Sequence, residues 1–153
     1  MKKYQNPFMS FIVSASSHTP FELEGLQDRN KVRIDVGKYK GTYFGNYLEA
    51  VNYADYAFGV LLEELKQEGL YEDTTILVFG DHNGINMYNE EMLEFLNNTI
   101  QFNRCRHKIK LHQSSCELKI PGVPHIKIEK PVSKLDIKPT LAYLCDLEDK
   151  FTL

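Results

Sequence analysis

Hydrophobic and polar positions along the chain predict an alternation of strands and helices. Residues 7–15 (PFMSFIVSA) are almost continuously apolar, as is typical of a strand covered on both faces, and residues 75–79 (TILVF) form a second run rich in β-branched side chains. Between the two runs, apolar residues recur at steps of three and four: Tyr47, Val51, Ala54, Phe58, Leu61 and Leu65. This stripe predicts a helix that ends near Gly69 and whose apolar face is mostly buried against a sheet.

The rest of the chain predicts shorter elements. Residues 21–42 are mixed and charged and read as a long surface loop, residues 89–98 and 136–145 as helices, and residues 116–120 as a third strand. A strand, a helix and a second strand form a βαβ unit, whose two strands run parallel. The expected fold class is therefore α/β, with a parallel or mixed sheet flanked by helices.

Polar residues follow both predicted strands. His18 lies in the turn after the first strand, and Asp81 and His82 follow the second strand directly after Gly80. Because parallel strands end at the same edge of a sheet, His18, Asp81 and His82 are expected to cluster there, where α/β sheets bind ligands. The alternative is local turn chemistry, in which Asp81 caps a backbone amide.

Composition and charge exclude several classes of protein. A net charge of −3 argues against nucleic acid as a partner, because proteins that bind phosphate backbones are usually basic. The three cysteines are far apart and form no Cys-x-x-Cys pair, so neither a zinc site nor a disulfide framework is indicated. No apolar run approaches the roughly 20 residues that span a bilayer. A soluble chain without a signal or transmembrane segment is expected.

Four stretches carry a resemblance to a known family: NPFMSFIVSASSHTPF, YLEAVNYADYAFGVLLEELKQEGLYEDTTILVFGDHNGI, LKIPG and SKLDIKPTLAYL. They resemble the C-terminal part of the sulfatase-like alkaline phosphatase superfamily, in particular its lipoteichoic acid synthase and phosphoglycerol transferase branch. The resemblance implies a partial alkaline-phosphatase-like fold, with residues 1–153 as the C-terminal portion of a catalytic domain.

The resemblance also implies roles for individual residues. In such enzymes a Thr nucleophile, a Glu and the Asp-His of a GDH motif hold a divalent metal, so Asp81 and His82 are the expected metal ligands. His18 corresponds to the catalytic histidine that faces the substrate phosphate. Carboxylate and imidazole ligands suit Mn or Zn, with Mg also open. The family's Thr and Glu lie upstream of the matched blocks, so weak or absent metal binding is expected of the isolated chain.

The implied activity is that of a metal-dependent phosphoglycerol transferase or hydrolase acting on a phosphoglycerol-type lipid or polymer. The parent enzyme is expected to be membrane-anchored with an extracellular catalytic domain, and this chain to be a catalytically silent piece that self-associates through an exposed sheet edge. Two alternatives stay open: a sulfatase or phosphodiesterase on the same scaffold, and a non-catalytic binding or assembly domain. His107, His112 and His125 are expected to be surface residues.

Overall fold

A computed structural model of the chain describes residues 7–26, 28, 31–86, 88–100, 116–128 and 130–147, with the side chain of Ile100 left out. The predicted surface positions His107 and His112 lie outside the described residues. The chain divides into two compact units, Met1–Gly122 and Val123–Leu153. All three of the predicted site residues belong to the first unit.

The long helix that the apolar stripe predicts is confirmed as α1, Tyr43–Gln67. It begins at Thr42, whose side-chain Oγ1 accepts a hydrogen bond from the backbone N–H of Gly45 at 3.1 Å. Such a cap satisfies one of the N–H groups that the first turn of a helix leaves unpaired. The helix stops before Gly69, which adopts a left-handed φ of 67° that glycine accepts without strain.

The burial predicted for the stripe is only partly correct. Leu65 is buried, but Val51 is 41% exposed and the other stripe residues are half-buried. The most buried side chains of α1 include Phe44 and Ala50, which lie beside the stripe. The hydrophobic pattern thus predicted the position of the helix correctly. The residues that are buried differ from the predicted stripe, because burial depends on which segments pack against α1.

The predicted parallel sheet is not found among the described residues. Strand β1, Ile76–Phe79, pairs with β2, Cys116–Lys119, and the pair is antiparallel, with Ile76 opposite Lys119 and Phe79 opposite Cys116. Both strands match predicted elements. Residues 7–15, predicted as a strand, adopt no regular structure, and Met9, Phe11, Ile12 and Val13 are 68–81% exposed. A strand requires a paired neighbouring strand, and within the described ranges the only strand pairing is that of β1 with β2.

Lys119 at the end of β2 ties the sheet to the turn that follows α1. Its ammonium donates to the backbone carbonyls of Tyr71 at 2.6 Å and Thr74 at 3.1 Å, and it lies 4.4 Å from the centre of the Tyr71 ring. An ammonium held by carbonyl oxygens and a ring face replaces most of its water shell with protein partners. This contact fixes the segment that leads into β1.

The core of the first unit lies between the beginning of α1 and the helix α2, Glu90–Ile100. Its buried members are Val36, Tyr39, Phe44, Ile85 and Met92. The rings of Tyr39 and Phe44 meet edge to face at 5.2 Å, a favoured aromatic geometry. Ile85 belongs to the loop between β1 and α2, so this core also anchors the loop that follows Asp81 and His82.

The second unit contains a short 3₁₀ turn, Lys134–Asp136, followed by helix α3, Ile137–Leu144. Ser133 and Asp136 form a reciprocal capping box at the start of the turn. Pro139 sits in the first turn of α3, where its missing N–H costs nothing. Among the described residues, no helix combines the length and apolar character needed to cross a membrane.

Candidate functional site

His18 is held by two consecutive reverse turns. Its backbone N–H donates to the carbonyl of Ala15 at 3.1 Å, and its own carbonyl accepts from the N–H of Phe21 at 3.0 Å. The ring Nδ1 lies 2.8 Å from the carbonyl oxygen of Thr19. Because a carbonyl oxygen can only accept, Nδ1 carries the proton of this hydrogen bond. In the neutral ring, Nε2 is therefore left with its lone pair.

Asp81 and His82 form a compact pair at the end of β1. One carboxylate oxygen of Asp81 accepts from the backbone N–H of His82 at 2.9 Å, and the other lies 3.5 Å from Nε2 of His82. The Nδ1 of His82 lies 2.8 Å from the carbonyl of Asn83, so this nitrogen also carries a proton. The lone pair of Nε2 in the neutral ring then faces a carboxylate oxygen. A cation that contacts both atoms would stabilise such an arrangement.

An open cleft of about 510 Å³ brings His18 and His82 together. Its walls come from the His18 turn, the start of α1 and the loop after β1, and they include Ser17, His18, Thr19, Tyr43, His82 and Asn83. Asp81 is not part of the lining, but its carboxylate contacts His82, which is. His18 and His82 line one cleft, but they do not lie at a shared edge of two parallel strands, as the sequence had predicted. The turns meet because both pack near the beginning of α1.

The pair Asp81 and His82 fits a metal ion as two of its ligands. Two ligand atoms that each lie about 2.1 Å from an ion and subtend a tetrahedral angle are about 3.4 Å apart, close to the 3.5 Å between the Asp81 oxygen and Nε2 of His82. Each ring also donates its Nδ1–H to a backbone carbonyl, as metal-bound histidines commonly do. Over the described ranges, no group of three or more His, Cys, Asp and Glu could hold a metal. A complete catalytic site would need further ligands.

Three further polar side chains are exposed or paired with another residue. Asp55 is exposed on α1, and His125 is exposed in the second unit. Lys38 pairs with Glu94, whose hydrogen bond raises the pKa of the lysine, and so engages a carboxylate of α2.

Four residues in or next to the lining of the cleft were not predicted as site residues: Phe21, Tyr43, Tyr47 and Gly84. Tyr43 lines the cleft and donates its hydroxyl to Oγ1 of Thr19 at 3.3 Å. Tyr47 is half-buried, and this burial raises the pKa of its hydroxyl. The spacing of four between Tyr43 and Tyr47 places them on one face of a helix, a signal that indicates packing but not what the face contacts.

Comparison with known proteins defines the class to which the chain belongs. The family described as Sulfatase matches residues 1–115, which is most of the chain, so the chain belongs to the sulfatase family. The lipoteichoic acid synthase-like protein YvgJ of Bacillus subtilis (strain 168) is 30% identical over 98% of this chain. The lipoteichoic acid synthase of Staphylococcus aureus (strain USA300) is 26% identical over 97% of it.

These relatives are much longer than the chain. The matches cover 24% of the Bacillus protein and 22% of the Staphylococcus protein, so the chain spans about a quarter of the length of either relative. No solved structure matches the chain.

Proposed function

We propose that this chain contributes part of the active site of a metal-dependent phosphoglycerol transferase or hydrolase. Asp81 and His82 supply two metal ligands, and His18 faces the phosphate of the substrate. The substrate class is a phosphodiester or phosphoglycerol head group on a lipid or polymer, at the cell surface. The family membership and the similarity to proteins named lipoteichoic acid synthase support this choice of substrate over other esters.

One observation carries the proposal: two imidazoles with the same proton arrangement line one cleft, and one of them is paired with a carboxylate. In both His18 and His82, Nδ1–H is committed to a backbone carbonyl, so Nε2 is the ring nitrogen that remains for chemistry. A divalent ion bound at Asp81 and His82 would neutralise charge on a phosphoryl oxygen and lower the pKa of a bound hydroxyl.

Residues of the chain orient the two ligand atoms and provide a hydrogen bond to the substrate phosphate. The carbonyl of Asn83 fixes the ring of His82, and the carboxylate of Asp81 lies beside its Nε2, so the two ligand atoms are oriented before an ion arrives. His18 can take up a proton at Nε2 and then donate a charge-assisted hydrogen bond to a phosphate oxygen. The carbonyl of Thr19 holds the His18 ring in that orientation.

The covalent step of such a reaction needs a nucleophile, and neither the resemblance nor the cleft assigns one among these 153 residues. We therefore propose that the 153-residue chain binds metal weakly and does not turn over substrate. Removal of the attacking group from a two-step displacement closes the covalent route.

The test is binding of Mn²⁺ to the purified chain, measured by electron paramagnetic resonance, in wild type, Asp81→Asn and Asp55→Asn. Asp81→Asn removes one proposed ligand, so its dissociation constant should rise roughly tenfold or more. Asp55→Asn removes the same charge from an exposed position on α1 and should match wild type. Equal affinities in all three proteins would contradict the assignment of Asp81.

The proposed silence of the chain, and the substrate class of any activity that is found, are tested in parallel with a chromogenic phosphodiester and a chromogenic sulfate ester, each with Mn²⁺, Mg²⁺ or Zn²⁺. Phosphodiester hydrolysis that Asp81→Asn abolishes would support the site and overturn the silent chain. Hydrolysis of the sulfate ester alone would favour the sulfatase alternative. Loss of metal binding and of both activities in wild type would favour the non-catalytic binding domain, the alternative consistent with the two-residue ligand set in the described part of the chain.

A further inference from the structure

Three aromatic rings connect the His18 turn to the loop that carries His82. We infer that Phe21, Tyr43 and Tyr47, here called the aromatic bridge, are positioning residues that set the distance between the two imidazoles. The claim that this distance matters for catalysis rests on the proposed function. The claim that the three rings transmit a shift from one segment to the other does not. None of the three residues was predicted to belong to the site, and none belongs to the proposed ligand set.

At the His18 end, the bridge is joined to the turn by both backbone and side chain. The N–H of Phe21 donates to the carbonyl of His18 at 3.0 Å, which closes the turn that begins at His18. The hydroxyl of Tyr43 donates to Oγ1 of Thr19 at 3.3 Å, and the carbonyl of Thr19 accepts from the His18 ring. A shift of either ring therefore moves the partner that orients the imidazole.

Phe21 is the centre of the bridge. Its ring packs edge to face on Tyr43 at 5.1 Å and on Tyr47 at 5.2 Å. It is 2% exposed and adopts a φ of 63°, a left-handed conformation that L-residues with side chains rarely take. Burial of the ring against two tyrosines compensates for this backbone strain.

At the His82 end, the ring of Tyr47 lies against the backbone of the loop at Gly84. A Cβ at Gly84 would lie 2.6 Å from Cε2 and 2.9 Å from the hydroxyl of Tyr47, so the loop passes directly over this ring. Gly84 does not have a left-handed φ, so it is the absence of a side chain that the site requires here. Ile85, the next residue, is buried in the core, so the loop is fixed on both sides of the contact.

The first experiment needs no metal. Gly84→Ala pushes against Tyr47, and we expect the imidazole Cε1–H signals of both His82 and His18 to shift in proton–carbon spectra at fixed pH. Gly59→Ala is the matched control, because a Cβ at that position of α1 meets nothing within 4 Å. Signals are assigned with His18→Gln and His82→Gln. Movement of the His82 signal alone in Gly84→Ala would overturn the bridge.

A second variant tests whether the coupling passes through Phe21. Phe21→Leu keeps an apolar side chain but removes the edge contacts to both tyrosines, so Gly84→Ala in this background should no longer shift His18. Tyr43→Phe is the milder partner, since it retains the ring and removes the 3.3 Å hydrogen bond to Thr19. Circular dichroism verifies that each variant is folded. An undiminished His18 shift in folded Phe21→Leu would exclude the route through the rings.

Mn²⁺ separates this inference from the proposed function. Bound at Asp81 and His82, Mn²⁺ should broaden the His18 signal in wild type, and Gly84→Ala should change that broadening while the dissociation constant stays the same. Absence of Mn²⁺ binding in wild type would refute the proposed metal site. The aromatic bridge would then be tested by the metal-free shifts alone. Identical broadening in wild type and Gly84→Ala would refute control of the spacing by the bridge.

Discussion

Two glycines of α1 should respond in opposite ways to replacement by alanine. A Cβ at Gly45, in the first turn, would lie 1.9 Å from the carbonyl oxygen of Tyr39 and 2.7 Å from its carbonyl carbon, whereas a Cβ at Gly59 meets nothing within 4 Å. Ordinary contact begins at 3.4 Å, so Gly45→Ala requires a displacement of about 1.5 Å. Tyr39 cannot yield easily, because its side chain is 8% exposed and belongs to the core.

The magnitude follows from two opposing terms. Replacing glycine by alanine inside a helix stabilises by about 1 kcal/mol, whereas overpacking a rigid site costs typically 1–3 kcal/mol, so the backbone clash at Gly45 should cost about 3 kcal/mol. The expected net destabilisation of Gly45→Ala is about 2 kcal/mol, and Gly59→Ala should gain up to about 1 kcal/mol. The displacement should also weaken the capping hydrogen bond from Gly45 to Thr42.

Urea unfolding followed by far-ultraviolet circular dichroism measures both changes, at a concentration where light scattering shows a monomer. With a denaturant slope of about 2 kcal/mol per molar urea, the two variants should differ by more than 1 M in midpoint, with wild type between them. If Gly45→Ala were as stable as wild type, the close approach of α1 to the turn at residues 37–39 would be wrong.

Three further predictions concern other parts of the first unit. Burial raises the pKa of Tyr47 above its ordinary value near 10, so its contribution to stability is complete below pH 10 and declines as the pH rises through the raised value. In urea titrations, the free energy of unfolding of Tyr47→Phe should therefore fall less than that of wild type as the pH rises above 10. Lys119→Met should destabilise by about 2 kcal/mol because it leaves carbonyls without their donor. Lys66→Met, on the surface of α1, should leave the urea midpoint close to that of wild type, because exposed ion pairs contribute little. The exposed run at residues 7–15 should promote self-association, and Phe11→Ser with Val13→Thr should lower the mass measured by light scattering.

Each of these predictions has a result that contradicts it. Parallel stability curves for wild type and Tyr47→Phe above pH 10 would show that the hydroxyl is not protected by burial. Equal midpoints for the two lysine variants would remove the special role of Lys119. A strictly monomeric wild type at high concentration would show that the exposed run does not drive association.

The features that the sequence determined by itself are local. The period of the apolar stripe located α1, the run of β-branched residues located β1, and the turn residues around Gly69 placed the end of the helix. The polar turns that contain His18, Asp81 and His82 were also visible, because a polar group directly after an apolar run interrupts the pattern. Helix periodicity and turn chemistry depend on neighbours within about four residues, so one sequence suffices to find them.

Only the tertiary structure decided which segments meet. Strand direction depends on the neighbouring strand: β1 pairs antiparallel with β2, whereas residues 7–15 are not part of a strand. The contact of Gly84 with Tyr47 and the packing of Phe21 between two tyrosines join residues that are 22 to 37 positions apart in the chain. Burial and pairing are properties of such distant neighbours, and a hydrophobic pattern states that a face will be buried without stating against what.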